Sequence, residues 1–289
     1  MKLKLKKPFP GIIAFVIVLL TMPLGHAAVI LIEMIFGNIH KYHAALLIGF
    51  LGTLMLMAGI VARKEIAATL YGLFAGLFVW TGWIEFAFMY YAGRLGVKPL
   101  IVNGETVTKP EYLLLPATIG IWAVFMLYYL LGTNSGCRFF IWIQKILKIK
   151  NLTELPKVPR NVAITTFMEI IMLLWTFYLV LLFAYDTRFA GEKHPVTWII
   201  LFGTLLWSLI LFVKLIRIPR LAYAIRYAIP VVIIFWTSVE IMGRWKVFEE
   251  IWIKPDSHWA EISGMLAVLF LLTAFILFSN SGTRKKPSS

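Results

Sequence analysis

Charge is scarce in this chain: only 15% of its 289 residues are Asp, Glu, Lys or Arg, against 61% apolar. So little polar surface cannot cover a water-soluble globule. Acids are scarcer still, 14 against 28 bases, and there is one cysteine, Cys137. A lone cysteine excludes intramolecular disulfides and any Cys-rich zinc or iron–sulfur centre. Also missing are a Walker phosphate loop, a GxGxxG in a βαβ setting, a nucleophile elbow, an HExxH and an ExxH helix pair, so no nucleotide fold, serine hydrolase or standard metal motif is announced.

Long apolar runs are present instead. A helix needs about 20 such residues to cross the hydrocarbon, and eight runs qualify: 10–37, 42–62, 66–92, 112–132, 161–185, 195–213, 227–247 and 260–279. They predict an all-α integral membrane protein of eight transmembrane helices with no room for a large soluble domain. The first run, after KLKLKK and before Gly25-His26-Ala27-Ala28, also has the form of a cleavable signal peptide. Its apolar character continues through AAVILIEMIFG, and cleavage would leave a stub too short to span, which favours a retained helix.

A net charge of +14 invites a nucleic-acid reading, but the bases fall in alternate connections, which marks a membrane face. With the N-terminus in the cytoplasm, 19 of the 28 bases lie inside. Eight spans with both termini cytoplasmic, in the cytoplasmic (inner) membrane, follow from that bias, and nucleic acid is not an expected partner. All acids except Glu65, Glu154 and Glu169 then lie toward the outer side.

The two halves resemble each other. WTGWIE around Glu85 returns as WTSVE around Glu240, and KYHAALLIGFLGTL (41–54) as EKHPVTWIILFGTL (192–205). Lys109-Pro110-Glu111 matches Lys254-Pro255-Asp256, and GTNSGCR (132–138) matches FSNSGTR (278–284). Four collinear matches that include polar residues point to a duplication: a first four-helix repeat in 1–136 and a second in 161–289, the latter with a basic cytoplasmic tail. An even helix number orients both repeats the same way across the membrane, related by a pseudo-two-fold along its normal. The offset is 156 at Trp80/Trp236 and Thr81/Thr237 but 155 at Glu85/Glu240, so the register changes by one residue between the threonine and the acid. Between the halves, 137–160 forms a basic amphipathic segment and linker. Residues 137–150 either lie on anionic lipid at the inner leaflet or pack as a helix on the bundle.

Carboxylates inside spans are costly, hence paired, hydrated or functional. Glu85 has no base at helical spacing, whereas Arg244 follows Glu240 by four and offers it a structural salt bridge. Thr81 and Thr237 stand one turn from these acids, and Trp80 and Trp236 adjoin the threonines, as cavity walls or as ordinary packing. His26 and Glu33, seven apart, share a face of the first helix, with Pro23 and Gly25 expected to bend it. Glu169 stands alone near the inner end of its helix. Gly72 and Gly76 read as a close-packing pair. The expected substrate- or ion-binding set is therefore Glu85, Glu240, Thr81, Thr237, His26 and Glu33.

Three functions compete. In the leading one, the chain is a membrane transporter or permease for a small solute or cation bound between the repeats, with Glu85 and Glu240 as ion or proton carriers. The second is a membrane redox or metal-dependent enzyme with a His/Glu site near the outer face. Its candidate ligands are His43, His194, Glu33, Asp186, Glu85 and Glu240, a donor set suited to divalent ions. The third is a non-catalytic subunit or assembly factor of a membrane complex, its polar residues meeting partners. Beyond the lipid bilayer, these residues name neither a cofactor nor a substrate.

Overall fold

The computed structural model describes residues 6–102, 105–128, 130, 138–147 and 161–279. Among them, seven helices are long and apolar enough to cross a membrane, so the chain is an all-α, multi-pass membrane protein. The first helix, α1 (Phe9–Val61), has 53 residues. At 1.5 Å per residue it would reach ~80 Å if straight, far beyond a hydrocarbon layer of ~30 Å. It is not straight. Gly37, at φ 59° and ψ −173°, breaks it into two arms, and Val29 and Ile32 of the first arm cluster with Ala44 and Ala45 of the second. A connection over 38–41 is expected from the apolar runs; instead one glycine, in a backbone region closed to most side chains, reverses the chain.

The next span is composite: α2 (Glu65–Val79), a π-helical turn (Trp80–Glu85) and α3 (Phe86–Arg94) run on without a break. A two-stranded antiparallel hairpin follows, β1 (Leu100–Val102) and β2 (Glu105–Thr108); no strand is expected there from the sequence. Then come α4 (Pro110–Leu114), a 3-10 turn (Leu115–Thr118) and α5 (Ile119–Leu127). The short α6 (Arg138–Ile146) precedes α7 (Val162–Tyr185), α8 (Pro195–Leu215), α9 (Leu221–Arg244) and α10 (Trp259–Ser279). Starts are set locally: the Asn161 side chain accepts the Ala163 and Ile164 amides to cap α7, and His194 caps α8 ahead of Pro195.

Four segments form the centre. The first arm of α1 packs on α9 and α2 packs on α7, while α10 flanks α1 and α5 flanks α7. Gly72 and Gly76 permit the α2–α7 approach, because a Cβ at either position would overlap Ala163 or Ile170. Ile17, Leu73, Ile170, Leu173, Ile225 and Ile229 from these four segments are almost fully buried in one apolar cluster. The first arm of α1 is thus part of the core.

At the end of the bundle nearest Arg63, Glu65 receives Arg220 at 2.6 Å and Arg226 at 2.8 Å, and Arg226 also donates to Thr69. This network ties α2 to α9. Of the basic segment between the halves, α6 packs on the bundle: Gln144 is buried and donates to the Leu130 carbonyl, and Trp142 meets Trp207 of α8. Lipid contact through 137–150 is therefore not the whole role of that segment. Its continuation through 148–160, and most of the GTNSGCR and FSNSGTR match, lie outside the described residues.

Candidate functional site: a polar chamber among the central helices

At the other end, nearest Gly37, the apolar core opens into a cavity of about 480 Å³, the size of chamber that holds a small organic molecule. Each central segment lends it a polar side chain: His26 from α1, Glu85 from the π-helical turn, Tyr178 and Tyr185 from α7, and Glu240 and Arg244 from α9. Loop and hairpin residues Thr108, Lys109, Glu192, Lys246 and Glu250 form the mouth.

On the floor, His26 Nε2 lies 3.1 Å from Glu240 Oε1 and 3.4 Å from the Tyr178 hydroxyl, while Nδ1 lies 3.0 Å from the Met22 carbonyl. A carbonyl only accepts, so Nδ1 carries a proton. A second proton on Nε2 would then sit between imidazole and carboxylate, where it can belong to either. Trp236 donates its indole N–H to the same Glu240 oxygen at 2.6 Å. Glu85, by contrast, accepts one hydrogen bond, from Tyr112 at 3.1 Å, and makes no ion pair among the described residues. Tyr112 stacks on Tyr178, and Trp80 lies against the same tyrosine with centroids 5.5 Å apart.

The sequence-derived set divides. His26, Glu85 and Glu240 line one chamber. Glu33, expected beside His26, instead receives Lys41 at 2.9 Å, because the reversal at Gly37 brings the second arm of α1 to it. Thr237 is buried, donates to the Ile233 carbonyl and borders a small recess beneath Glu240. Thr81 is buried in the π-helical turn and does not line the chamber; the widened turn changes the α-helical spacing that put it on the face of Glu85. Trp80 and Trp236 each wall a recess next to an acid.

Arg244 does not bridge to Glu240. It pairs with Glu192, donates to Thr108 and stacks its guanidinium 4.0 Å over Tyr185. The intrahelical spacing was right for a bridge, but a carboxylate from the α7–α8 connection competes for the fork. His43 faces His40, the His194 ring caps α8, and Asp186 accepts the Arg188 amide. Among the described residues no group of three or more His, Cys, Asp or Glu is placed to hold a metal ion, so the six candidate ligands do not converge.

Sequence reasoning missed Tyr112, Tyr178, Tyr185, Lys109 and Glu250 as chamber residues. Aromatics near span ends read as an interfacial belt, which masks the few that turn inward. One signal was present: Lys109 belongs to the duplicated Lys-Pro-acid match.

Fold and chamber together define a polytopic helical membrane protein with a polar cavity among its central helices. Compared with protein-family models, curated proteins and solved structures, the chain matches none.

Proposed function

We propose that the protein is a membrane permease for a small solute, with eight crossings, both termini in the cytoplasm and the chamber facing outward. The observation that carries this reading is the shared construction of the chamber: four central segments from the two halves each contribute polar groups at its floor or wall, above a closed apolar plug. Solute sites at repeat interfaces near mid-membrane are built this way. Reciprocal packing, α1 on α9 as α2 on α7, supports the duplicated four-helix architecture of 1–136 and 161–289. So does the π-helical turn, since a one-residue insertion between Thr81 and Glu85 is what such a turn absorbs. The Glu65–Arg220–Arg226 network would close the inner side in this state, with His26 and Glu240 as the proton- or ion-responsive pair.

Reconstituted protein should support saturable solute uptake that Glu240→Gln abolishes without loss of folded protein. Uptake unaffected by Glu240→Gln would refute the role of the pair. A membrane enzyme using His26 and Glu240 as an acid–base pair is the second reading, favoured by the proton-sharing geometry beside the Tyr178 hydroxyl. It predicts chemical turnover of a solute without net uptake.

A further inference from the structure

Charge within the chamber is incompletely paired, and the pattern has a direction. On the floor Glu240 is matched by His26, and at the mouth Arg244 is matched by Glu192. Three charges are left over, Glu85 inside and Lys109 and Glu250 at the mouth, none of which makes an ion pair among the described residues. Tyr112, three residues after Lys109, donates its hydroxyl to Glu85.

The wall around Glu85 is largely aromatic, with a second carboxylate, the buried Glu111, beside it. Trp80, Tyr112 and Tyr178 border the same recess as Glu85, and the two tyrosines stack with centroids 5.8 Å apart. A carboxylate in an aromatic-lined recess, with one neutral hydrogen bond and no ion pair among the described residues, is an incomplete site: the charge calls for a cation, and the rings favour an organic ammonium over a bare, strongly hydrated ion. A purely cationic solute, however, would have to pass Lys109 and Lys246 at the mouth. A solute that also carries an acidic group would meet those bases favourably.

We propose that the chamber binds a small amphoteric amine, with its ammonium on Glu85 between the aromatic rings and its acidic group toward Lys109. This names the substrate class for the permease reading and rests on that reading's site. The chemistry is shared by free amino-acid-like solutes and by the ethanolamine phosphate headgroup of a zwitterionic lipid.

Equilibrium binding to protein in phosphatidylglycerol nanodiscs, whose lipid carries no ammonium, tests it without requiring flux. By calorimetry, 4-aminobutyrate or O-phosphoethanolamine should bind at least tenfold more tightly than butylamine or butyrate. Glu85→Gln should weaken that binding at least tenfold, and Lys109→Gln should bring the amphoteric ligand close to butylamine. Thermal melting of each variant checks that it is folded. Loss of 4-aminobutyrate binding when phosphatidylethanolamine is added to the phosphatidylglycerol would make the lipid headgroup the occupant; retention would make it a free solute. Equal binding of butylamine, unchanged binding by folded Glu85→Gln, or no binding of either amphoteric probe overturns the proposal. Binding without uptake would remove the permease reading and leave the ligand class standing, whereas uptake of another solute without amphoteric binding would do the reverse.

Discussion

Glu85 and Glu240 stand at corresponding places in the two halves, yet their surroundings differ in kind. Glu240 sits on the unbroken helix α9, held by His26 and by the indole of Trp236. Glu85 sits at the end of a π-helical turn, and among the described residues its one hydrogen-bond donor is the Tyr112 hydroxyl. One residue of register separates them. In the second half the helix stays regular and its acid is electrostatically matched; in the first the turn widens and its acid has no ion-pair partner among the described residues. Positions that match in sequence can therefore differ through backbone geometry as well as through side-chain identity.

The widened turn offers the strongest way to break this comparison. Gly82 within it corresponds to Ser238 in α9 by the offset that pairs the tryptophans. A Cβ on Gly82 would come within 2.5 Å of the Ala45 carbonyl oxygen and the Gly49 nitrogen, both backbone atoms, whereas Ser238 has room for a hydroxyl shared with Thr204 and the Leu201 carbonyl. Gly82→Ala should cost about 3 kcal/mol by overpacking. Ser238→Ala should cost about 1 kcal/mol by loss of hydrogen bonds. Equal losses in detergent melting or denaturant titration would mean that the halves pack alike here.

His26→Ala sharpens the electrostatic difference. Among the described residues, it leaves Glu240 with Trp236 as its one hydrogen-bond donor. Removing a partner from a fully buried pair typically costs 3–5 kcal/mol; both side chains here are about a quarter exposed, so about 2 kcal/mol is expected. Adding Glu240→Gln should recover part of that loss, because no unmatched charge remains. An additive double mutant would show that the two residues do not interact.

On the other side of the comparison, Tyr112→Phe removes the single bond to Glu85 and should cost about 1 kcal/mol, less than His26→Ala in the same assay. A larger loss would mark Glu85 as a structural residue.

The smallest effect belongs to Glu250, in the connection after α9. Half-burial, and secondarily the nearby Glu240 carboxylate, raise its pKa above the ordinary 4.5. A carboxyl whose folded pKa is raised binds protons more readily when folded, so it opposes folding as pH rises from 4.5 through the folded value, and the penalty persists above it. Glu250→Gln should therefore stabilise the protein slightly at neutral pH and not at pH 4. A melting gain independent of pH would exclude this cause.

Much of the architecture was written in local composition. Apolar runs placed the spans to within a few residues, since twenty apolar residues favour the bilayer whatever their neighbours. The Gly72 and Gly76 pair announced the α2–α7 contact, and the offset change between Thr81 and Glu85 registered the extra residue that the π-helical turn holds. Tertiary structure decided who meets whom. His26 was paired with Glu33 by helical periodicity, but rotation of the first arm toward α9 gave it Glu240, and the reversal at Gly37 gave Glu33 to Lys41. Arg244 had Glu240 one turn below it and took Glu192 from another connection. Tyr112 and Tyr178 carry no signal along the chain, and packing turns them onto Glu85 and His26. The reason is one of range. Membrane partition and helix formation are sums over neighbouring residues and can be read along the chain, whereas the partner of a buried polar group depends on how separate helices are rotated against one another, which no single segment encodes.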